Sequence, residues 1–142
     1  MIDFLILGGG IAGTSAAARL APLGKVVVLE RESALAYHAS GRSAALYESN
    51  YGLASTVALS RASGDYFRNA HGGFISPRGL MVVSKKGAED EFKRGCEMLN
   101  MSPIPLADAF AMVPILAPDV VGFAAHHEAA YDIDTDRMVQ SF

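Results

Sequence analysis

The stretch Phe4-Leu5-Ile6-Leu7-Gly8-Gly9-Gly10-Ile11-Ala12-Gly13 decides the fold of this 142-residue chain. Its first four residues are apolar without polar alternation, which is typical of a strand buried in a parallel sheet. The alanine-rich segment that follows predicts a helix, which ends near Pro22 and Gly24. A second apolar run, Val26-Val27-Val28-Leu29, leads directly into Glu30. These thirty residues therefore predict a strand, a glycine turn, a helix and a second strand, the unit that opens a Rossmann-like sheet.

The glycines of this turn have the spacing G-x-G-x-x-G at Gly8, Gly10 and Gly13. In that motif one glycine makes the tight turn, one lets the backbone approach a pyrophosphate, and one lets the helix pack closely on the strand. The start of the helix then offers unpaired N–H groups to phosphates. Glu30 lies at the carboxyl end of the second strand, where a carboxylate accepts ribose hydroxyls and repels a 2′-phosphate. The motif alone also fits a glycine-rich loop, but the whole unit in register predicts a dinucleotide site that disfavours NADP.

The composition excludes several other classes of protein. The chain has 12 Lys plus Arg against 15 Asp plus Glu, so we do not expect a nucleic-acid binder. It has a single cysteine, Cys96, which excludes an internal disulfide and a cysteine-based zinc cluster. The sequence contains neither a run of apolar residues long enough for a membrane span nor a basic segment typical of a signal peptide. We therefore expect a cytoplasmic protein.

The segment after Glu30 bears on the choice between NAD and FAD. A typical NAD domain continues into another helix and a third apolar strand. Here residues 31–47 are small and polar in the middle and are compatible with a helix from Ser43 onward. We expect the N–H groups of residues 40–43 to form a second anion-binding concavity, which suits a ligand longer than NAD. A Ser/Gly surface loop remains the alternative interpretation of the same residues.

The chain resembles a family of flavoenzymes in several blocks of sequence. The similarity is to the superfamily of D-amino-acid oxidase, glycine oxidase and sarcosine oxidase, and above all to bacterial FAD-dependent dehydrogenases of the D-arginine type. It is strongest over residues 1–52 and covers most of the chain, which resembles only the N-terminal part of such enzymes. The blocks that carry it are Leu29–Glu32, Tyr37–Ala45, Tyr51-Gly52, Ser76–Arg78 with Met81–Val83, and Asp132–Asp136.

The resemblance implies FAD as cofactor and a set of residues around it. It implies a set of residues that contact the pyrophosphate, the adenosine, the ribityl chain and the flavin ring. They are Gly8, Gly10, Ile11, Ala12, Gly13, Glu30, Arg31, Ala39, Ser40, Gly41, Arg42, Ser43, Ala44 and Leu46. Implied at the substrate are Leu46, Tyr51 and Leu80.

The resemblance also implies the reaction. It would be oxidation of a D-amino acid or related amine, with hydride transfer from the α-carbon to flavin N5. In the arginine-preferring relatives a glutamate stands where this chain has Leu80, and a polar residue where it has Leu46. This difference implies a substrate with an apolar side chain. The electron acceptor is left open, and so are two alternatives for the protein itself, an NAD-binding Rossmann dehydrogenase and a non-catalytic dinucleotide-binding fragment.

The expected architecture is α/β, with a parallel, Rossmann-like FAD half and the beginning of a mixed-sheet substrate half. We expect an FAD-binding segment over residues 1–75, the start of the substrate-binding segment over 76–130, and a return to the FAD-binding domain over 131–142. Further helices and strands are predicted at Thr56–Phe67, Leu80–Ser84, Ala88–Met101, Leu106–Met112 and Val120–Ala124.

Two groups of residues suggest metal sites and are better explained otherwise. His126 and His127 are adjacent, so on a strand they would point to opposite faces, and we interpret them as histidines at a loop edge. The carboxylates Asp132, Asp134 and Asp136 suggest calcium, but the segment has neither the turn glycine nor the closing glutamate of an EF-hand. Asp134 is instead predicted to cap a helix that begins near Thr135. We interpret Cys96 as a core thiol, and the sequence predicts no metal site.

Overall fold

A computed structural model of the protein describes residues 1–142. The chain divides into two compact units. The first comprises residues 1–45, 66–75 and 133–142, and the second comprises residues 46–65 and 76–132. Residues 46–65, which the sequence analysis assigned to the FAD-binding segment, therefore group with the second unit.

The first unit is built on the predicted parallel pair. Strand β1 (Phe4–Leu7) and strand β2 (Val26–Leu29) pair in parallel, in register from Phe4 opposite Val26 to Leu7 opposite Leu29. Helix α1 (Ile11–Leu20) and a short 3-10 turn connect them. Helix α5 (Thr135–Gln140) contacts α1 and buries Met138 and Val139. Asp134 accepts a hydrogen bond from the backbone N–H of Arg137 at 2.9 Å, so the predicted cap is confirmed.

The second unit contains two small sheets and two helices. Its elements are β3 (Leu46–Glu48), β4 (Ile75–Pro77, which begins in the first unit), β5 (Leu80–Lys85), α3 (Glu89–Leu99), β6 (Ser102–Pro103), α4 (Leu106–Met112), β7 (Val121–His127) and β8 (Ala130–Ile133). Helix α2 (Ala54–Asn69) contributes residues to both units. The strand orders are β3-β8-β4 and β5-β7-β6.

The core of the second unit lies between α3 and the sheet β5-β7-β6. Phe92 and Cys96 are buried with Met101 and Ala125, and Phe92 stacks on Phe123 with 5.3 Å between the ring centroids. The buried position of Cys96 is the one expected for a core thiol. Because burial disfavours the thiolate, the pKa of Cys96 is raised.

The α/β class and the parallel first half are confirmed. Both pairings of β7 within this chain, with β5 and with β6, are antiparallel. Residues 46–48, in the segment that the sequence left open to a helix, form a strand that pairs with β8. His126 and His127 are the last two residues of β7 and pair with Met81 and Leu80 of β5, so they are strand residues beside a loop.

Alanine at position 134 should destabilise the protein by about 1 kcal/mol, because it removes the side chain that satisfies a free N–H of α5. Chemical denaturation of the parent and variant measures this loss. Asp134→Ser should retain most of the stability, and Asp136→Ala, in the same helical turn, should cost less. Equal losses from Asp134→Ala and Asp136→Ala would contradict the capping role.

Candidate functional site

The glycine turn brings β1, α1 and β2 together at one edge of the parallel pair. Gly8 has a φ of 106°, a conformation that glycine adopts without strain, and its N–H donates to the carbonyl of Leu29 at 2.8 Å. A Cβ on Gly13 would overlap the carbonyl oxygen of Gly8 and lie 3.3 Å from the Ile6 side chain. Glycine at position 13 is therefore what allows the helix to begin directly against the strand.

The N-terminus of α1 opens onto this turn. The first N–H groups of a helix have no intrahelical acceptor, and Gly10, which precedes α1, provides no side-chain cap for them. The N–H of Ile11 donates to Oγ of Ser40 at 3.0 Å, and a Cβ on Gly10 would lie 3.2 Å from the same oxygen. The predicted residues Ile11, Gly10 and Ser40 thus meet at a helix terminus whose dipole favours an anion.

Glu30 lies beside the turn, one residue past β2. Its Oε1 accepts the N–H of Glu32 at 2.9 Å and its Oε2 accepts the N–H of Gly9 at 2.7 Å. These two backbone hydrogen bonds, with that from Glu32 the larger contribution, hold the pKa of Glu30 below its usual range. A charged carboxylate is therefore fixed at the end of β2, where the sequence analysis placed the ribose contact.

Two of the four N–H groups predicted to form a second anion site are used within the loop after β2. The N–H of Gly41 donates to the carbonyl of Ala36 at 2.8 Å, and that of Arg42 donates to the carbonyl of His38 at 3.0 Å. Because local turns use these two donors, they are not available to an anion. The same loop brings the hydroxyl of Ser40 to the helix terminus.

The charged side chains of this loop contact one another. Arg31 is exposed and pairs with Glu32 at 2.8 Å, and His38 lies 2.9 Å from the same carboxylate. The hydrogen bonds from Arg31 and then His38 lower the pKa of Glu32. Arg42 lies over the ring of Tyr37, 5.1 Å from its centroid. The sequence analysis missed Glu32 and His38, and their pairing carries no spacing signal that could have indicated it.

Of the other predicted cofactor residues, Ala12, Ala39, Ser43 and Ala44 have exposed positions. Ser43 accepts the N–H of Ala45 through its hydroxyl at 3.0 Å. Leu46, predicted to contact both cofactor and substrate, belongs to the second unit. The roles of these residues stay predictions.

The three residues predicted for the substrate line one cavity in the second unit. Its volume is about 370 Å³, and its lining consists of Leu46, Glu48, Tyr51, Leu80, Val82 and Leu99. Tyr51 is 68% exposed. A larger cavity of about 620 Å³, beside Arg78 and His126, contains none of the predicted residues. We take the smaller cavity as the candidate substrate site, because its wall is apolar with few polar groups, as in most ligand sites.

Glu48 is the residue of this cavity that the sequence analysis missed. Its side chain is buried and lies against His127 of β7, with 2.8 Å between Oε2 and Nε2. No motif links two positions so far apart in the chain. The structure shows no group of three or more metal-ligating side chains.

These features define an α/β protein with a glycine turn at the N-terminus of a helix, and comparison with known families gives its class. Residues 3–142 match the model of the FAD dependent oxidoreductase (DAO) family, so the chain belongs to that family.

Three solved structures illustrate the likeness in fold. L-α-glycerophosphate oxidase from Mycoplasma pneumoniae, with FAD bound, has a TM-score of 0.78 at 19% identity, covering 97% of this chain and 40% of that one. Glycine oxidase from Geobacillus kaustophilus has a TM-score of 0.74 at 18% identity, over 98% and 42%. L-proline dehydrogenase from P. horikoshii has a TM-score of 0.75 at 20% identity, over 99% and 40%. The chain spans about two fifths of the length of each.

The first unit fits the FAD that its family uses. The backbone is bare at Gly8 and Gly10, the helix terminus presents N–H groups beside Ser40, and Glu30 carries a fixed negative charge at the end of β2. The glycine turn and Ser40 would hold the pyrophosphate, and Glu30 the ribose.

None of the helices combines the length and apolar character that a membrane span requires.

Valine at position 10 should abolish or strongly reduce FAD content, because its side chain would fill the space at the helix terminus beside Ser40. Glu30→Ala should weaken FAD binding roughly ten- to a hundredfold, the effect of losing a charged hydrogen-bond partner. Flavin absorbance of the purified variants measures both. Gly95→Ala, where a Cβ meets nothing, is the matched control. Variants at positions 10 and 30 that are as yellow as the parent would contradict this placement.

Glu30 should also contribute to acid stability. Because its folded pKa lies below the reference value of 4.5, its contribution is fully present above that pH and is lost as the pH falls through the folded pKa. In Glu30→Gln the free energy of unfolding should therefore depend less steeply on pH below 4.5 than in the parent. Denaturation curves across that range measure the slopes, and identical slopes would show that these hydrogen bonds do not form in solution.

Proposed function

We propose that the protein containing this chain oxidises a D-amino acid, or a related amine, whose side chain is apolar. The observation that carries the proposal is the cavity of the second unit, which joins Leu46, Tyr51 and Leu80 from separate blocks of the sequence. Family membership supports FAD chemistry. Two of the structurally similar proteins are named for amino-acid substrates, glycine and L-proline.

The lining of the cavity supports the substrate class. Leu46, Leu80, Val82 and Leu99 form an apolar wall, and the volume of about 370 Å³ is at the low end of the range for ligand cavities. An apolar side chain of the substrate would be buried against this wall, where transfer from water is favourable. The exposed hydroxyl of Tyr51 would meet the polar end of the substrate.

The one carboxylate of the cavity, that of Glu48, is not available to pair with a cationic side chain of the substrate. Both oxygens of Glu48 face other groups, Oε1 facing Asn50 and Oε2 facing His127, and its side chain is only 3% exposed. A guanidinium placed in this cavity would therefore lose its hydration without gaining a partner, which is strongly unfavourable.

The redox chemistry comes from the cofactor, since bound FAD would accept the hydride from the substrate α-carbon at flavin N5. The residues of this chain bind and orient the substrate and exclude water from the apolar wall.

The cytoplasm stays the location predicted from the sequence.

The experiment that tests the proposal is anaerobic addition of amino acids to the purified full-length protein while its visible spectrum is recorded. D-Leucine and D-methionine should bleach the flavin band, and their L-enantiomers serve as matched controls. A protein that binds FAD but is bleached by no amine would show that the proposed function is wrong.

A glutamate at position 80 should change the substrate preference. The parent protein should have a higher kcat/KM for D-leucine than for D-arginine, because Leu80 offers no partner to a buried cation. Leu80→Glu should raise kcat/KM for D-arginine and lower it for D-leucine by at least about tenfold each, because a carboxylate that can pair with the guanidinium replaces an apolar side chain of the wall. Val83→Glu, on an exposed position of the same strand, is the matched control. A parent protein that prefers D-arginine would refute the prediction.

A further inference from the structure

A buried polar contact joins two strands of the second unit. Oε2 of Glu48 in β3 lies 2.8 Å from Nε2 of His127 in β7. The Glu48 side chain is 3% exposed and that of His127 is 14% exposed. The two atoms lack the alignment of a hydrogen bond, and neither has a hydrogen-bond partner. At 2.8 Å they are nevertheless in direct contact, so each is a polar neighbour against which the other is buried.

The other oxygen of Glu48 fixes the turn that follows β3. Oε1 accepts the backbone N–H of Asn50 at 2.8 Å and its side-chain amide at 3.1 Å. The backbone carbonyl of Glu48 accepts the N–H of Tyr51 at 3.3 Å. One residue, Glu48, therefore holds the backbone of both Asn50 and Tyr51.

Asn50 extends this network to two helices. Its side-chain amide donates to the carbonyl of Leu99 at the end of α3, at 3.4 Å, and its Oδ1 accepts from Arg61 of α2 at 2.7 Å. The turn of residues 48–51 is thus tied to β7, α3 and α2 at once. A network that reaches three elements restricts the turn more than any one hydrogen bond would.

The residues that this turn supports belong to the candidate substrate cavity. Glu48 and Tyr51 both line it, and Leu99 is part of its apolar wall. Burying a carboxylate against a histidine is costly compared with an apolar pair of the same volume. The hydrogen bonds that Oε1 of Glu48 accepts from Asn50 are directional, unlike apolar contacts, and they fix the turn that carries Tyr51.

We propose that His127 and Glu48 are positioning residues for the substrate site, holding the turn of residues 48–51 so that Tyr51 faces the cavity. The inference rests on the proposed function, which assigns Tyr51 to the substrate. His127 touches neither substrate nor cofactor and acts through Glu48.

The test combines hydrogen exchange with steady-state kinetics in the full-length protein. In His127→Ala, exchange of the amides of Asn50 and Tyr51 should be at least about tenfold faster, and KM for a D-amino acid should rise at least about tenfold with a smaller change in kcat. His127→Gln, whose amide can still reach Glu48, should restore both values toward those of the parent.

The matched control is His126→Ala, because His126 is the neighbouring histidine on the same strand and lines a different cavity. It should leave exchange at Asn50 and Tyr51 unchanged. If His127→Ala does not fold, Asn50→Ala removes the other end of the network and should give the same faster exchange at Tyr51 and the same rise in KM.

Unchanged exchange in His127→Ala, or an equal effect of His126→Ala, would overturn the inference. Faster exchange with an unchanged KM would also overturn it, since the turn would then not serve the substrate. If no amine is oxidised at all, exchange alone decides whether His127 holds the turn, and the failure belongs to the proposed function.

Discussion

Gly13 lies so close to the carbonyl group of Gly8 that no side chain fits between them, and the rest of the first unit depends on this approach. It lets α1 begin immediately after β1 and return the chain into β2 beside it. The carboxyl ends of both strands and the N-terminus of α1 therefore meet at one edge. Glu30 and the hydroxyl of Ser40 are held at that edge by backbone hydrogen bonds. A bare backbone and a helix N-terminus beside the ends of both strands follow from this single steric constraint.

The cavity of the second unit is formed by an apolar wall and one buried carboxylate. At this wall a ligand would meet leucines, valine and the exposed side chain of Tyr51. The one carboxylate of the cavity, that of Glu48, is buried, accepts two hydrogen bonds from Asn50 and lies against His127. A carboxylate held in this way fixes the surrounding turn and offers little to a cation. The same arrangement supports the proposed substrate class and the proposed position of Tyr51.

How much of this could be predicted from the sequence depended on the range of the interactions. The turn at Gly8–Gly13, the helix α4 at Leu106–Met112 and the cap at Asp134 follow from local spacing, and the structure has them where they were expected. Strand β3 was not predicted, because it exists only through pairing with β8, far along the chain. The position of the two histidines in β7 and the contact of His127 with Glu48 depend on such long-range pairing too. The donors at Gly41 and Arg42 were assigned to an anion because local turns within the loop were not foreseen.

The central claim is that residues 1–45 form an FAD site, and the most direct measurement is the flavin content of the purified full-length protein together with competition by NAD. We expect FAD bound in a one-to-one ratio that excess NAD does not displace, since the family, the glycine turn and Glu30 together support FAD. A colourless protein that takes up NAD and not added FAD would contradict the account.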